Sequence, residues 1–493
     1  KIIFVMNIPE DILQILKKIT ASGFSGELVG GCVRDLLMEK QPQDWDLTTN
    51  ARPEQILALF AGAKYENDFG TVLIPCRNSE GEVLTVAEVT TYRSEKGYAD
   101  CRHPDEVKFE EHLDKDLERR DFTVNAMALK LDSGGDYSWS KKKFALIDLF
   151  GGVKDIRKKV IRAVGEPADR FKEDALRMMR AIRFSAQLGF SLEPKTQRGI
   201  VKLAGSLKFV AKERVRDELI KILSSSRPAE GIMALHEAKL LQYIIPELEQ
   251  GVGVRQNHHH IYQVFKHNVL SLQYCPSEEW QVRFASVLHD VSKPKTRRIL
   301  DGQVTFYNHE YVGAKMVDRI MTRIKFKKED RERVVNLVRN HMFYYNVGEV
   351  TAASVRRLIS KVGRDNLQDL IHLRVADRLG SGTPKGMPYK LRHLQYMMEK
   401  VQHDPVSVKM LALNGHDLMA ELSLVPGPKI GAILDVLLGD VLEYPSRNER
   451  AYLLERAQVL QLENLEDLRN QARLLIEEKR DDEDQDMQKR FKV

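Results

Sequence analysis

The stretch PQDWDLTT places two carboxylates, Asp44 and Asp46, one residue apart. In a β-strand, residues i and i+2 point to the same face, so both acids would project together while Trp45 packs on the opposite side. Paired carboxylates repel each other unless a cation lies between them, and hard oxygen ligands favour Mg²⁺. The spacing therefore predicts a magnesium site, with a solvated turn as the alternative.

A pair of glycines, Gly30 and Gly31, lies shortly before these acids and runs into Arg34. Glycine allows the backbone to approach a phosphate closely, and a helix starting near Val33 would direct N–H groups toward it. We therefore expect a phosphate-binding turn beside the two aspartates.

The whole segment GGCVRDLLMEKQPQDWDLTT resembles the signature of the class II tRNA nucleotidyltransferase and bacterial poly(A) polymerase family, a branch of the polymerase-β-like nucleotidyltransferases. Three further segments resemble motifs of that family in the same order: RRDFTVNAMA (119–128), LIDLFGGVKDIRKKVIRAVGEP (146–167) and EDALRMMRAIRF (173–184). Four motifs in the right order make this resemblance specific.

The resemblance implies an enzyme that adds CCA, or its terminal A, to tRNA 3′ ends from CTP and ATP. Asp44 and Asp46 would bind the Mg²⁺ ions of a two-metal transfer. Glu88, in VAEVTTYR, falls where the family often carries a third acid, although a strand-edge glutamate is an equal alternative. A poly(A) polymerase, an HD phosphohydrolase with an RNA-binding head, and a non-catalytic tRNA-binding protein remain as alternatives, and intact Asp44 and Asp46 argue against the last two.

Several cationic and polar residues are predicted to contact the nucleotide because they match the family's motifs and suit phosphate or ribose. Arg119 and Arg120 are expected at the triphosphate, Asp121 at a ribose hydroxyl and Asn125 as an amide contact. Arg34 joins this set, and Arg180 and Arg183 form a second cationic pair, with solvent-facing charge as the alternative.

Asp174 and Arg177, three residues apart in a predicted helix, would share one face. A carboxylate accepts from an exocyclic amine, and a guanidinium donates to ring or carbonyl acceptors. Because C and A carry an amino group where U and G carry a carbonyl, such a pair favours C and A. The resemblance assigns base recognition to these two residues. The alternative is an intrahelical salt bridge worth about 0.3–0.5 kcal/mol.

Two other segments bear on the same site. Residues 94–118 resemble the loop that is full length in family members that add the terminal A, which argues against a C-only enzyme. Residues 210–223 (VAKERVRDELIKIL) resemble the neck motif that braces the nucleotide site, and a plain amphipathic helix explains them equally well.

A second cluster of ligand types follows downstream. Neutral imidazoles with carboxylates between them suit a divalent or transition metal. The His289-Asp290 doublet followed by Lys293-Pro294 resembles the HD phosphohydrolase superfamily. That resemblance implies a metal site, of unidentified metal, with phosphodiesterase or phosphatase activity, held by six residues: His267, His289, Asp290, His309, His341 and Asp377.

Composition sets broad limits on the class of protein. The 493 residues carry 43% hydrophobic and 30% charged side chains, with a net charge of +6 that suits a polyanionic partner without requiring one. Four scattered cysteines predict neither a disulfide framework nor a thiolate zinc site and favour the cytoplasm. No apolar run reaches the roughly 20 residues of a membrane span. The opening KIIFVMN is too short for a signal peptide, and the absence of Met before Lys1 suggests trimming, with Met6 a natural start.

Hydrophobic periodicity alternates between helix and strand up to about Leu131 and is almost entirely helical from Pro167 onward. We therefore predict an α+β protein: a small polymerase-β-like head on a mixed sheet, followed by a long all-α neck, HD-type body and tail. The expected segments are the head (1–150), the neck with the base-recognition helix (151–225), the HD-type domain (226–400), a tRNA-binding tail (401–475) and a charged, disordered end (476–493).

Overall fold

The computed structural model describes residues 3–5, 8–67, 70–77, 83–96, 106–131, 143–256, 261–347, 349–401 and 407–473. The chain divides into two compact units, Lys1–Pro246 and Glu247–Val493. The finer division into five segments stays a prediction. The histidine run at 257–260 and the charged end lie outside the described residues.

The first unit is built on a mixed sheet of eight strands in the order β1-β10-β9-β2-β3-β6-β5-β4. All neighbours in it are antiparallel except β3 and β6, which run parallel. The strands of this unit are β1 Ile3–Val5, β2 Gly26–Val29, β3 Trp45–Thr49, β4 Lys64–Asn67, β5 Thr71–Arg77, β6 Val83–Thr91, β7 Arg93–Lys96, β8 Glu106–Phe109, β9 Met127–Leu131, β10 Lys143–Asp148, β11 Val160–Ile161 and β12 Ser191–Leu192. The predicted mixed sheet is confirmed.

Helices cover this sheet and then continue as a helical extension. They are α1 Glu10–Ala21, α2 Gly31–Leu37, α3 Pro53–Leu59, α4 Leu113–Glu118, α5 Gly152–Lys158, α6 Pro167–Glu173, α7 Leu176–Leu188, α8 Pro194–Leu203, α9 Lys212–Leu223, α10 Pro228–Glu237 and α11 Leu241–Ile244, and α12 Pro246–Glu249 follows at the boundary with the second unit. The composition of SSSRPAE (224–230) predicts a joint between helical units. Residues 224–227 link α9 to α10, and residues 228–230 already belong to α10.

A single hydrophobic core explains which face of strand β3 is buried. Helix α1 buries apolar residues at helical spacing, including Ile12, Leu16 and Ile19, against the sheet. Trp45 is 3% exposed and belongs to this same core. Because side chains alternate along a strand, burial of Trp45 turns Asp46 to the opposite face.

The segment RFKEDALRMMRAIRFSAQLGF forms two helices rather than the single one predicted. Helix α6 ends at Glu173, and Asp174 has extended backbone angles of φ −141° and ψ 107°. Its carboxylate accepts a hydrogen bond from the Leu176 backbone N–H at 3.0 Å, a contact typical of aspartate at a helix start. Gly189, whose residue type and place in the sequence predict a helix C-cap, ends α7 with φ +69°.

The second unit is helical apart from a short hairpin of β13 Arg298–Leu300 and β14 Gln303–Thr305. Its helices are α13 Val264–Gln273, α14 Trp280–Leu288, α15 Lys293–Thr296, α16 His309–Arg323, α17 Lys328–Asn340, α18 Ala352–Val362, α19 Leu367–Gly380, α20 Tyr389–Lys400, α21 Gly415–Leu422, α22 Pro428–Glu443, α23 Arg450–Leu460 and α24 Leu465–Arg473. Within the described residues, no helix combines the length and apolar character that crossing a bilayer requires.

Candidate active site and metal centre

Three carboxylates meet beside the only parallel strand pair of the main sheet in the described residues. Asp46 on β3 is the register partner of Glu88 on β6. Asp44 lies just before β3 begins, so it is a bend residue rather than the strand residue predicted, and it is exposed. Burial raises the pKa of Asp46, and Asp44 raises it further while Arg120 lowers it. Burial and the charge of Asp46 likewise raise the pKa of Glu88.

This donor set suits a hard divalent cation. The acids offer only oxygen ligands, and their mutual repulsion, expressed in the raised pKa values of Asp46 and Glu88, is what a bound cation would relieve. The described residues thus fit a Mg²⁺ site.

The Gly30-Gly31 turn lies directly against Asp46. Gly30 has φ +78°, and a Cβ placed on it would lie 2.9 Å from Asp46 Oδ2 and 3.1 Å from Arg120 Nη1. The Gly31 backbone N–H donates to the Asp46 carboxylate. Helix α2 begins at Gly31, two residues before the predicted start near Val33. The turn therefore needs glycine both for its backbone conformation and for the close approach of the acid and the guanidinium.

A buried carboxylate that was not predicted from the sequence holds the two arginines of the RRD motif. Asp116 on α4 is fully buried and accepts from Arg119 Nη2 at 2.7 Å and from Arg120 Nη2 at 3.1 Å. Burial favours its protonated form, but the two guanidiniums lower the pKa of Asp116 below its usual value. The spacing of three and four residues along a helix was a usable signal for this anchor.

Polar contacts connect the remaining motif residues. Arg34 donates from Nη1 to Asn125 Oδ1 at 2.8 Å. Asn125 donates to Asp121 Oδ1 at 3.4 Å, and Arg180 donates from Nε to Asp121 Oδ2 at 2.8 Å. Asp121 is 8% exposed, and Arg180 and Arg177 lower its pKa although burial opposes that shift. In this arrangement Asp121 orients neighbouring side chains, and its contact with a ribose hydroxyl stays a prediction.

The predicted base-reading residues do not pair with each other. Asp174 accepts from Arg214 Nη2 on α9 at 2.7 Å, whereas Arg177 donates to Glu173 at 2.5 Å and to the Arg119 carbonyl at 3.2 Å. Each side chain has its own partner, Arg214 for Asp174 and Glu173 for Arg177. The alternative of an intrahelical salt bridge between Asp174 and Arg177 is therefore not observed. Arg214 lies in the segment 210–223, so that segment braces Asp174.

Arg183 does not face solvent. It is 7% exposed, donates from Nη1 to Glu218 Oε1 of α9 at 3.2 Å, and lies 4.2 Å from the centre of the Phe184 ring. Burial and neighbouring Arg180 lower its pKa to about 10. This position makes Arg183 a support of the site, and its direct contact with nucleotide or RNA stays a prediction.

In the second unit, five of the six predicted metal ligands form two buried clusters that share one carboxylate. His267, His289 and Asp290 form one cluster, and Asp290, His309 and His341 form the other. Asp290 Oδ2 lies 3.2 Å from His267 Nε2, and its Oδ1 lies 3.2 Å from His309 Nε2. The sixth residue, Asp377, lies 3.4 Å from His267 Nε2 and so adjoins the first cluster. The predicted set is brought together by packing among α13, α14, α16, α17 and α19.

Backbone carbonyls orient three of these imidazoles. The Nδ1 atoms of His289, His309 and His341 lie 2.8, 2.9 and 2.7 Å from the carbonyl oxygens three residues before them. A carbonyl only accepts, so each Nδ1 carries a proton, and Nε2 is the ring atom left to bind a metal when the imidazole is neutral. This tautomer is the one that binds a metal.

The charges of the histidines and aspartates in these two clusters also suit a bound cation. Burial lowers the pKa of His289, but Asp290 and Asp377 outweigh burial and raise it to about 10. Burial, together with His289 and His309, lowers the pKa of His341 well below its usual value. A metal that binds there would displace a proton from His289. Lys293, also buried, lies 2.6 Å from Asp290 Oδ2.

The fold and sites define a nucleotidyltransferase-type head followed by a helical unit with an HD-type group of candidate metal ligands, and comparisons with known proteins agree with this class. Residues 27–162 match the Poly A polymerase head domain, 189–251 the RNA- and SrmB-binding site of polymerase A, and 264–381 the HD domain.

Two curated relatives extend the match over most of the chain. One is the A-adding tRNA nucleotidyltransferase of Deinococcus radiodurans, 34% identical over 435 residues, covering 83% of this chain and 90% of that protein. Another is the CCA-adding enzyme of Enterococcus faecalis, 30% identical over 449 residues, covering 91% and 95%. The crystal structure of the Bacillus stearothermophilus CCA-adding enzyme in complex with CTP matches with a TM-score of 0.62 at 25% identity, covering 92% of this chain and 98% of that one. The chain belongs to the family of tRNA nucleotidyltransferases and bacterial poly(A) polymerases.

Proposed function

We propose that this protein adds CCA, or its terminal A, to the 3′ end of tRNA from CTP and ATP without a nucleic-acid template. The observation that carries the proposal is the pairing of Asp46 with Glu88, with Asp44 beside them, next to guanidiniums held by buried acids. The relatives named for A addition and CCA addition support the same activity. We place the reaction in the cytoplasm, in keeping with the free thiols of the described cysteines.

The chemistry requires a nucleophilic RNA 3′-hydroxyl and a neutralised pyrophosphate leaving group. Mg²⁺ bound by Asp44 and Asp46, with Glu88 as a further ligand, would supply both effects. Arg120, fixed by Asp116 beside Asp46, places positive charge where the triphosphate must lie. Arg34, fixed by Asn125, contributes a second guanidinium. The 3′-oxygen forms a bond to the α-phosphorus, and the bond to pyrophosphate breaks.

Selection of C and A is assigned to Asp174 and Arg177. Their side chains are held by Arg214 and Glu173 rather than by each other, so their donor and acceptor groups are oriented before a nucleotide binds. Side chains that are already oriented lose less conformational entropy when a matching base binds, and this favours C and A over bases that do not match.

Three RNA substrates separate the related activities. The protein is incubated with tRNA lacking CCA, tRNA ending in CC, and unstructured RNA, each with labelled CTP or ATP. Incorporation of C into the first identifies a full CCA enzyme, and incorporation of A into the second alone identifies an A-adding enzyme. Long A tails on any RNA would instead establish a poly(A) polymerase. Asp44→Ala should abolish all incorporation, and activity retained in that variant would refute the proposed site.

We infer a second activity, metal-dependent hydrolysis of phosphate esters, for the HD centre. The supporting observation is the pair of buried clusters that share Asp290. A bound metal would supply a Lewis acid and an activated water. Lys293 balances the charge of Asp290 and, through a 2.7 Å hydrogen bond to Gln256 Oε1, remains fixed in place.

This activity is tested by release of phosphate from esters in the presence of Mg²⁺, Mn²⁺, Co²⁺ or Ni²⁺. Asp290→Ala should remove hydrolysis and leave incorporation of nucleotides into tRNA intact. Loss of both activities in that variant would contradict two independent sites.

A further inference from the structure

A strip of aromatic side chains begins at the HD centre and continues along helix α20. We define the aromatic strip by five residues: Phe343, Tyr345, Tyr389, His393 and Tyr396. Phe343 follows the metal-ligand candidate His341 by two residues. Arg374 contacts both the HD centre and the aromatic strip. It donates to Asp377 Oδ2 at 2.8 Å and lies 5.8 Å from the centre of the Phe343 ring.

Four of the five rings are neighbours in space and are grouped around His393. The centre of the His393 ring lies 5.9 Å from that of Tyr345 and 6.0 Å from those of Tyr389 and Tyr396. The Tyr345 hydroxyl is hydrogen-bonded to His393 Nδ1. These contacts hold the half-buried rings in place beneath the outer pair.

The two outer tyrosines are not part of the core. Helix α20 buries Leu391, Leu394 and Met398 against the unit's interior. Tyr389 and Tyr396 lie on the outer surface and are 62% and 57% exposed. Single exposed aromatics are common on protein surfaces, but three tyrosines grouped around one histidine, one of them four residues after the metal-ligand candidate His341, are not explained by chance exposure.

Charge around the strip favours a polyanion. Between residues 385 and 400 the chain carries Lys385, Lys390, Arg392 and Lys400 and a single acid, Glu399. Lys390 donates to Asn346, which places its ammonium beside the segment that contains Tyr345. Aromatic rings with interleaved cations are the combination that binds single-stranded RNA, because bases stack on the rings and phosphates pair with the cations.

We propose that the aromatic strip stacks the bases of a single-stranded RNA whose terminal phosphate lies in the HD centre. The inference rests on the proposed hydrolytic function and names its substrate class. Because the rings grouped around His393 offer stacking surfaces in addition to Phe343, the substrate is an oligonucleotide end rather than a mononucleotide. Hydrolysis then transfers the phosphoryl group from the RNA oxygen to water and releases inorganic phosphate and an RNA hydroxyl.

The test measures binding of a fluorescent six-nucleotide RNA with a 3′-phosphate to the full chain, using an abasic oligomer of the same length as the comparison. The double variant Tyr389→Ala/Tyr396→Ala should weaken RNA binding about fivefold or more and leave abasic binding unchanged. Tyr389→Phe/Tyr396→Phe, which keeps the rings, should bind RNA like the original. Tyr274→Ala, at a tyrosine 43% exposed elsewhere in this unit, is the matched control.

Unchanged RNA affinity in the alanine double variant overturns the proposal. An equal loss for RNA and abasic oligomer also overturns it, because stacking would not be the cause. Hydrolysis of β-glycerophosphate, which has no ring, tests the HD centre separately. RNA binding could depend on the tyrosines although neither β-glycerophosphate nor the RNA is hydrolysed with any metal. In that case the hydrolytic function fails, whereas RNA binding by the aromatic strip stands.

Discussion

Asp46 and Glu88 are direct register partners on the parallel strands β3 and β6. Burial raises the pKa of both carboxyls; the charge of Asp46 raises the pKa of Glu88 further, and the charge of Asp44 does the same for Asp46. Their juxtaposition favours a role for Glu88 at the metal over that of an incidental strand-edge glutamate, because two carboxylates with raised pKa values gain most from a shared cation.

We expect Asp46→Asn to reduce nucleotide incorporation by about two orders of magnitude or more, and Glu88→Gln to reduce it less. Because the charge of Asp46 is disfavoured by burial, Asp46→Asn should also raise the melting temperature measured without Mg²⁺. Thermal unfolding and incorporation assays check both effects. Glu54→Gln, at an exposed acid on α3, is the control and should change neither activity nor melting temperature. Equal losses in all three variants would remove Glu88 from the site.

Gly30→Ala and Gly23→Ala form a matched pair. Both glycines have positive φ, +78° and +86°, so alanine should destabilise each protein by about 1–2 kcal/mol. A Cβ at Gly30 would meet Asp46 and Arg120, whereas one at Gly23 meets nothing within 4 Å. Only Gly30→Ala should abolish incorporation. Urea unfolding and incorporation assays on both variants check this. If Gly23→Ala is also inactive, backbone strain alone explains the loss of activity.

Asp116→Asn should release Arg119 and Arg120, raise the KM for ATP, and lower the free energy of unfolding by about 2 kcal/mol or more. The folded-state pKa of Asp116 is lowered, so its contribution to stability is present above its unfolded pKa of roughly 3.9 and is lost as pH falls through the folded pKa. The stability gap between the two proteins should therefore be full at pH 7 and narrow below about pH 4. Glu118→Gln, at an exposed residue paired with Lys115, is the control and should change the free energy of unfolding by no more than about 0.5 kcal/mol. A difference in stability between Asp116→Asn and the original protein that does not depend on pH would contradict the ion-pair account.

Arg214→Gln should relax nucleotide selection without abolishing catalysis, because Asp174 would lose the partner that orients it. We expect misincorporation of UTP and GTP relative to ATP to rise about tenfold, as for the loss of one charged hydrogen bond. Arg216→Gln on the same helix, where the arginine pairs with Asp217, is the control. Single-nucleotide incorporation with each of the four triphosphates measures the effect, and equal changes in kcat for all four would contradict it.

Metal content should distinguish the two HD clusters. Because Asp290 belongs to both, Asp290→Asn should bind no metal, whereas His341→Gln should lose only the ion of the second cluster. His372→Gln, at a histidine on α19 that interacts with Gln368, should retain the original content. Metal analysis of the purified proteins by mass spectrometry checks these ratios. Full metal content in Asp290→Asn would show that this carboxylate is not shared.

Local sequence patterns were sufficient for much of the protein. The helical spacing of apolar residues in PEDILQILKKI predicted α1, and the β-rich run LTVAEVTTYR predicted β6, because both signals are local to one element. Spacing indicated Asp44 and Asp46 as paired acids, and the resemblance to the HD superfamily indicated six residues spread from His267 to Asp377. The break at Asp174 was missed, because a side chain that caps a helix competes with helical periodicity.

What the sequence alone determined was the set of reactive groups and the order of elements that carry them. Only the tertiary structure decided their partners: that Glu88 lies beside Asp46, that Asp116 holds two arginines, and that Arg183 is buried against Glu218. It also decided that Asp290 is shared between two clusters. The reason is physical: strand register and helix packing join residues that are distant in sequence, and burial then sets the pKa values and charge balance that no single segment encodes.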